Sequence, residues 1–434
     1  MNEVVENRLF VDAHSVRIQT ASQAYFGKDV SQLTIAEGAV LASVIRSPAG
    51  YDPVAHADRL EGRFNYVLDG MVSEKWLSPT QREGLQVPPT VEKSKPKGGT
   101  NYFLMDTVRK ELKAKGFTDA EIDLGGFKVI TTFDKRSQTA AVKAVRQERP
   151  TIKAKGVHIG LSAVEAGTGR VIAMYGGETA GNLNEATQAR IQPGSAFKAF
   201  ALSGALQDGI SLKSRFQGTS PYKVPGTDAE VNNEFNQSYG ANVDLVKATE
   251  DSINTAYVDL AVQMGPQKVV DAAIAAGIPE DTPGLNANPV VPLGTASVHN
   301  IDMASAYCTI AAQGQQSAWH TVDEVKTPNG GTRYKAAPKK TRVFPKDVMA
   351  DATYALQQVV RSGTGTEAEK LGRPAAGKTG TAALRPDTTT SAWFVGFTPQ
   401  LCAAVDFYKG TSKADLDGVG GLPTFFGGEY PTRI

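Results

Sequence analysis

Gln192-Pro193-Gly194-Ser195-Ala196-Phe197-Lys198-Ala199-Phe200 is the stretch on which the reading of this chain turns. A Pro-Gly break is followed at once by an apolar run that carries a serine and a lysine three residues apart. If Pro193-Gly194 ends a loop and a helix begins at Ser195, the two side chains share one helical face. The serine hydroxyl then sits among free backbone N–H groups, at the positive end of the helix dipole. A hydroxyl beside an amine at such a place is what an acyl-transfer nucleophile needs. Taken alone, Ser-x-x-Lys is common, and the plainer reading of an N-cap serine followed by a surface lysine prevails.

Two further motifs change that balance. Ser252-Ile253-Asn254 interrupts a helical region, where Asp251, Ser252 and Asn254 mark a polar break. Lys378-Thr379-Gly380-Thr381 follows Pro374 and precedes the strand-like end of the chain. Each is weak by itself; the three in this order form the pattern of serine acyl-enzymes. The residue types suit the chemistry. Ser195 must lose a proton to attack a carbonyl, and a neutral Lys198 can take it. Burial, with a second cation such as Lys378 nearby, would depress the Lys198 pKa. Ser252 is placed to pass the proton to a leaving amine, and Asn254 to hold a substrate amide. Lys378, Thr379 and Thr381 suit a C-terminal carboxylate. A strand through Gly380 and Thr381 offers an N–H which, with that of Ser195, makes an oxyanion hole.

The third motif has a rival reading, since Gly372-Arg373-Pro374-Ala375-Ala376-Gly377-Lys378-Thr379 matches the P-loop pattern. Its surroundings argue otherwise. A P-loop follows a buried strand, but Glu367 to Leu371 is helix-like. It opens a helix, yet Gly380, Pro386 and Thr388-Thr389-Thr390 come next. The interval to Asp406 is also short for a crossover helix and a returning strand.

Composition is that of an ordinary globular protein: 434 residues, 41% apolar, 21% charged and net charge +1. That balance gives no electrostatic argument for nucleic acid or an anionic membrane, and nucleic acid is not expected as a partner. The five histidines lack ligand spacing, so neither a metal nor a cofactor is expected. No Gly-x-Ser-x-Gly elbow supports a Ser-His-Asp hydrolase. Cys308 and Cys402, in a helix-like and a strand-like run, read as two buried thiols. Met1 to Asn7 is acidic and polar and reads as no signal peptide. No apolar run reaches the roughly 20 residues of a membrane span, and the chain reads as soluble.

Along the chain, residues 1–85 read as helical, with a capping box at Thr34-Ile35-Ala36-Glu37 and a break at Ser47-Pro48-Ala49-Gly50-Tyr51-Asp52-Pro53. Residues 86–150 are a linker region: Pro- and Lys-rich over 86–100, then a helix over 102–115 and a strand over 126–133. In residues 151–434, strands over 159–164 and 170–175 form a hairpin. Helices follow over 195–208, 243–263, 300–313 and 346–362, and strands return over 391–397 and 401–408. This is an α+β domain whose sheet joins both ends of the segment.

With these residues in place, the chain resembles the class A penicillin-binding proteins, the bifunctional cell-wall synthases. Phe235, Tyr239-Gly240, Leu293-Gly294, Met303-Ala304, Ala306-Tyr307, Gly363-Thr364-Gly365, Gly372-Arg373-Pro374 and Trp393-Phe394-Val395-Gly396-Phe397-Thr398-Pro399 all fit that family. The resemblance implies a DD-transpeptidase/serine β-lactamase-like fold: a five-stranded antiparallel sheet, helices on its faces, and the site between sheet and helical subdomain. It implies peptidoglycan stem peptides ending in D-Ala-D-Ala as acyl donors and β-lactams as acylating inhibitors of Ser195. It places the parent protein at the extracytoplasmic face of the bacterial membrane.

Gln19-Thr20-Ala21, Tyr25-Phe26-Gly27-Lys28, Leu33 to Glu37 and Ser47 to Pro53 are similar to the end of the family's glycosyltransferase domain. Its Glu-Asp-x-x-Phe motif is not in this sequence, nor is an anchor, so anchoring is expected only of a longer parent and no glycan polymerisation of this polypeptide. Thr424 to Ile434 resembles the lead-in to a final helix. Within the acyl-enzyme class, DD-carboxypeptidase activity is the same chemistry with water as acceptor. A non-turnover β-lactam-binding or sensing module is the alternative of a different class. A β-lactamase is disfavoured, because no Glu-x-x-x-Asn lies between the second and third motifs.

Overall fold

The structure is a computed structural model that describes residues 18–45, 47–48, 50–90, 99–385, 388–411 and 413–434. Met1 to Asn7, Ala49, residues 91–98 of the Pro- and Lys-rich stretch, and Pro386 lie outside the described residues. Two compact units emerge, one drawn from the chain up to 97 with 112–129 and 324–334, the other from 98–111, 130–323 and 335–434.

The first unit is built on helices α1 (Ile18–Phe26), α2 (Ile35–Val44) and α3 (Ala57–Ser73). Helix α2 starts where the capping box requires: the Glu37 amide donates to Thr34 Oγ1 at 3.3 Å, and the Thr34 amide donates to Glu37 Oε2 at 2.8 Å. Leu60, Phe64, Leu68 and Met71 recur at helical spacing on α3 and are buried with Phe26, Val40, Leu41 and Val44. Each such side chain contributes about 1.5–3 kcal/mol by leaving water.

The second unit holds a five-stranded sheet. Its elements are α4 (Lys135–Glu148), β1 (Val157–Glu165), β2 (Val171–Tyr175), α5 (Lys198–Gln207), α6 (Leu245–Glu250), α7 (Asn254–Met264), α8 (Pro266–Ala276), α9 (Asn300–Ala311), α10 (Lys346–Arg361), β3 (Ala376–Arg385), β4 (Thr388–Phe397) and β5 (Leu401–Lys409). The strand order is β3-β4-β5-β1-β2 with every neighbour antiparallel. The first hairpin thus pairs with the last strand, and β3 is left as an edge. The strands alternate with period two. Val164, Met174, Trp393, Val395, Cys402 and Ala404 enter a core with Phe197, Phe200, Tyr257 and Tyr307. Ile159, Leu161, Ala392, Val405 and Phe407 face the other way, onto Val145 of α4 and Leu416, Val419 and Phe425. The end of the chain packs there too, its turn Tyr430–Arg433 stacking Tyr430 on Phe425 with centroids 5.5 Å apart.

Three local readings are corrected. The 195–208 helix opens with a 3-10 turn, Gly194–Phe197, and becomes α-helical only at Lys198. The 243–263 helix is broken: α6 stops at Glu250 and α7 starts at Asn254, because Ser252 takes a left-handed φ of 60°. The two cysteines are not separate thiols. Cys308 on α9 and Cys402 on β5 are joined in a disulfide with Cα atoms 5.6 Å apart, 94 positions from one another in the chain. The P-loop alternative also fails, since Gly377, Lys378 and Thr379 lie inside strand β3.

Candidate active site

The 3-10 turn decides how Ser195 and Lys198 meet. In that geometry residues i and i+3 eclipse, so the two side chains stack along the same edge. Lys198 Nζ lies 2.8 Å from Ser195 Oγ. Gly194, with φ +54°, lets the turn press on β3: a Cβ there would strike the Thr381 backbone, and one on Gly380 would strike the Pro193 carbonyl. The Tyr307 phenol donates to the Ala196 carbonyl at 2.6 Å, and Ser391 Oγ donates to the Gln192 carbonyl at 2.7 Å. The turn that bears Ser195 is therefore held from α9 and β4 as well as from β3.

The second motif supplies the opposite wall. Ser252 in its left-handed conformation turns both its hydroxyl and its carbonyl toward Lys198, at 3.2 and 2.8 Å from Nζ. Such a backbone costs about 1 kcal/mol for a non-glycine residue, and Ile253, almost fully buried, anchors the turn. Asn254 Oδ1 lies 2.6 Å from Lys198 Nζ, while its Nδ2 donates to the Asn232 carbonyl at 3.0 Å. That second bond fixes which way the amide points.

Strand β3 brings in the third motif. Lys378 Nζ donates to Ser252 Oγ at 2.8 Å and to the Thr379 carbonyl at 3.2 Å. Thr379 and Thr381 alternate with Lys378 and Gly380 along the strand. Thr379 Oγ1 lies 2.6 Å from Thr364 Oγ1, and Thr381 Oγ1 accepts from the Gly427 amide at 3.2 Å. Both lysines are fully buried, whereas Ser195, Ser252, Asn254 and Thr381 are half-buried at the surface of the site. Burial, with the Lys378 cation beside it, drives the Lys198 amine far below the usual lysine range. Burial also lowers Lys378, to about 7.

Ser195, Lys198, Ser252, Asn254, Lys378 and Thr379 thus form one hydrogen-bonded chain, with Gly380 and Thr381 on its β3 side. The positioning groups Tyr307, Ser391, Thr364 and Asn232 received no role from the sequence. Tyr307 and Thr364 stood in segments that fit the family resemblance; Ser391 and Asn232 act through backbone contacts that leave no local signal. Among the described residues no cluster of potential metal ligands occurs.

Comparison with known proteins follows the same lines. Residues 159–415 match the penicillin-binding protein transpeptidase domain, and residues 4–72 match the transglycosylase family. Penicillin-binding protein 1A of Mycobacterium tuberculosis is 35% identical over 94% of this chain and 52% of its own length. Penicillin-binding protein 1B of Escherichia coli is 30% identical over 87% of this chain and 45% of its own. The chain therefore spans about half the length of these curated relatives. Among solved structures, PonA1 of M. tuberculosis in complex with penicillin V superposes with a TM-score of 0.70 at 30% identity, over 77% of this chain and 91% of that one. Penicillin-binding protein 1A of Haemophilus influenzae, 20% identical, shares the fold at 0.76 over 95% of this chain and 81% of that one. Motifs, architecture and relatives agree: the chain belongs to the class A penicillin-binding protein family and carries its transpeptidase domain.

Proposed function

We propose that this chain is a serine DD-transpeptidase that cross-links peptidoglycan stem peptides through an acyl-enzyme on Ser195. The observation that carries the reading is the environment of Lys198 Nζ. The Ser252 carbonyl and Asn254 Oδ1, at 2.8 and 2.6 Å, can only accept hydrogen bonds. A neutral amine has two hydrogens; donated to those two acceptors, they leave the lone pair for the Ser195 hydroxyl. Lys198 is then the general base.

Ser195 Oγ attacks the carbonyl of the penultimate D-Ala, and its proton passes to Lys198. The oxyanion is held by the N–H groups of Ser195 and Thr381. When the C–N bond breaks, the departing D-Ala amine takes the proton through Ser252 Oγ, which touches both lysines. Asn254 holds the donor's amide. Lys378, Thr379 and Thr381 hold its carboxylate, with Gly380 giving room beside the nucleophile turn. An acceptor amine then attacks the ester, surrenders a proton to Lys198, and Ser195 recovers its hydroxyl. Water in place of the amine makes the same site a DD-carboxypeptidase. A β-lactam acylates Ser195 by the same first step, without a leaving group that departs.

On this reading, residues 151–434 form the acylating domain, to whose sheet the 86–150 region adds α4, and 1–85 are a portion of the polymerising domain. Location at the extracytoplasmic face of a bacterial membrane fits the Cys308–Cys402 disulfide, which suits an oxidising compartment. Among the described residues no helix is long and apolar enough to cross a membrane. The test is product analysis with a D-Ala-D-Ala-terminated pentapeptide, with and without an acceptor amine. The expected result is D-Ala release plus an amide-linked dimer only when acceptor is present. Release without dimer would replace the transpeptidase by a carboxypeptidase, and neither product would leave a binding or sensing module.

A further inference from the structure

Lys198 must carry a charge once in every acyl transfer, and it must do so out of water. As Ser195 Oγ forms its C–O bond, the serine O–H bond breaks and an N–H bond forms on Nζ, so a neutral amine becomes an ammonium. The Lys198 side chain is fully buried, and so is Lys378, linked to it through Ser252 Oγ. Charging a buried amine beside a second cation is costly unless something answers the charge. The Ser252 carbonyl and Asn254 Oδ1 accept hydrogen bonds from either form of the amine. One further group faces Nζ, and its attraction begins only with the charge. The ring of Tyr257 lies against Lys198 Nζ with its centroid 5.6 Å away. The face of an aromatic ring carries negative potential, and it attracts a cation within about 6 Å of the centroid.

The fold fixes that ring. Tyr257 follows Asn254 by three positions on α7, so the two side chains are neighbours on one helical face. Thr249 Oγ1 gives its one hydrogen to the Leu245 carbonyl at 2.6 Å. At its 2.6 Å contact with Thr249 Oγ1 the Tyr257 hydroxyl must therefore donate. Thr249 is on α6 and Tyr257 on α7, so this bond spans the break that turns Ser252 toward Lys198. Tyr257 has no exposed surface, and burial pushes its phenol above the ordinary range, so the ring stays neutral. The other titratable groups around the amine are Lys378 on β3, which opposes the ammonium, and Glu234 in the loop ahead of the second motif, which favours it. Tyr307 on α9 adjoins Tyr257 and is likewise held neutral by burial.

We propose that the face of Tyr257 holds the ammonium that Lys198 becomes as it deprotonates Ser195, and so sets the strength of the base. The proposal rests on the acyl-enzyme reading. Tyr257 touches no substrate; it is a positioning residue that acts through Lys198. The ring leaves the neutral amine nearly unaffected and stabilises the charged one, so it acts on the transition state and on the resting protonation of Lys198 in the same sense. The proton then leaves through Ser252 Oγ to the departing amine, and the ring faces a neutral amine again.

The test is the pH profile of the benzylpenicillin acylation rate in the full chain, with phenylalanine and its mono-, di- and trifluorinated forms placed at position 257, and with Ser195→Ala as control. Fluorine draws electron density from the ring face with little change of shape, so the attraction weakens stepwise while the packing stays. Tyr257→Leu would empty part of the core as well, and the fluorinated series avoids that. Tyr257→Phe keeps the face and should keep the acid limb near its wild-type pH. Fluorination should move the limb to lower pH, by about 0.4–1.5 units across the series, because a less stabilised ammonium loses its proton at lower pH. The plateau rate should fall with it, by about two- to thirtyfold, since the same ammonium forms in the transition state. A limb that does not move with fluorination, or that moves to higher pH, overturns the role of Tyr257 while Lys198 remains the base. Covalent labelling of Ser195→Ala overturns the acyl-enzyme reading and this proposal with it.

Discussion

Two buried polar clusters in the transpeptidase unit invite comparison. One is the Lys198–Lys378 pair beside Ser195; the other is a carboxylate cluster around β5 and β1. In the second, Asp406 is fully buried, and Asn300 Nδ2 donates to its Oδ1 at 2.7 Å and to the Ala404 carbonyl at 3.2 Å. Nearby, Glu185 accepts from the Tyr408 hydroxyl and lies 2.7 Å from His158 Nδ1, whose ring stacks on Tyr408. Burial acts on both clusters in the same physical sense, against charge. It pushes the lysines down and pushes Asp406 far above the carboxylate range. The difference lies in what each perturbed group faces. Lys198 faces the half-buried hydroxyl of Ser195. Asp406 faces Asn300 and the Gly160 backbone, so tightly that a Cβ on Gly160 would meet its Oδ1 at 2.5 Å. A displaced pKa marks a functional group only where a reactive partner is within reach of a substrate.

The sharpest way to break that contrast is to substitute the central residue of each cluster. Lys198→Ala should slow acylation by about 10²–10⁴-fold, the worth of a positioned general base. Lys198→Arg should not restore it, because a guanidinium stays charged. The wild-type rate should fall as pH drops through the lowered Lys198 pKa. Removing the neighbouring cation with Lys378→Met should move that acid limb to higher pH. Stopped-flow acylation across pH reads all three, and a limb that stays put in Lys378→Met would deny the coupling between the lysines.

Asp406→Asn should leave acylation within about twofold, the variance of a substitution remote from the chemistry, and change stability in a pH-dependent way. The folded pKa of Asp406 is raised, so its contribution is fully present below the unfolded value near 4 and is lost as pH rises toward the folded value. Asparagine has no such loss. The variant should therefore gain on wild type as pH rises above about 4, measured by denaturant unfolding. A stability difference that is flat with pH would contradict the raised pKa.

The smallest effect is expected at His158. The hydrogen bond to Glu185 raises its pKa against the opposing effect of burial, so its contribution is present below about 6.5 and is lost as pH climbs through the higher folded value. The histidine side chain is 37% exposed, and solvent screens the pair. His158→Gln should cost less than about 1 kcal/mol at pH 6 and still less at pH 9. A larger loss at pH 9 than at pH 6 would reverse the assigned sign.

Which residues gather at the candidate site was legible in the sequence because they lie in short motifs with fixed spacing. The sheet and most helices were legible because apolar residues recur with period two or near four. Three features were not, each for a physical reason. The break at Ser252 depends on a left-handed backbone that serine does not favour locally, and buried Ile253 and the lysine contacts impose it. The pairing of Cys308 with Cys402 is tertiary, since helix and strand bring together thiols 94 positions apart. The carboxylate cluster leaves no pattern at all: Glu185, Asn300 and Asp406 are distant in sequence and meet only because β5 pairs with β1.

The central claim is that Ser195 is the covalent nucleophile. It is tested most directly by incubating the chain with benzylpenicillin and locating the adduct by intact-protein and peptide mass spectrometry. One acyl group per chain is expected, on the peptide containing Ser195, and none on Ser195→Ala. An adduct of the same mass retained by Ser195→Ala, or mapped to Ser252, would contradict it.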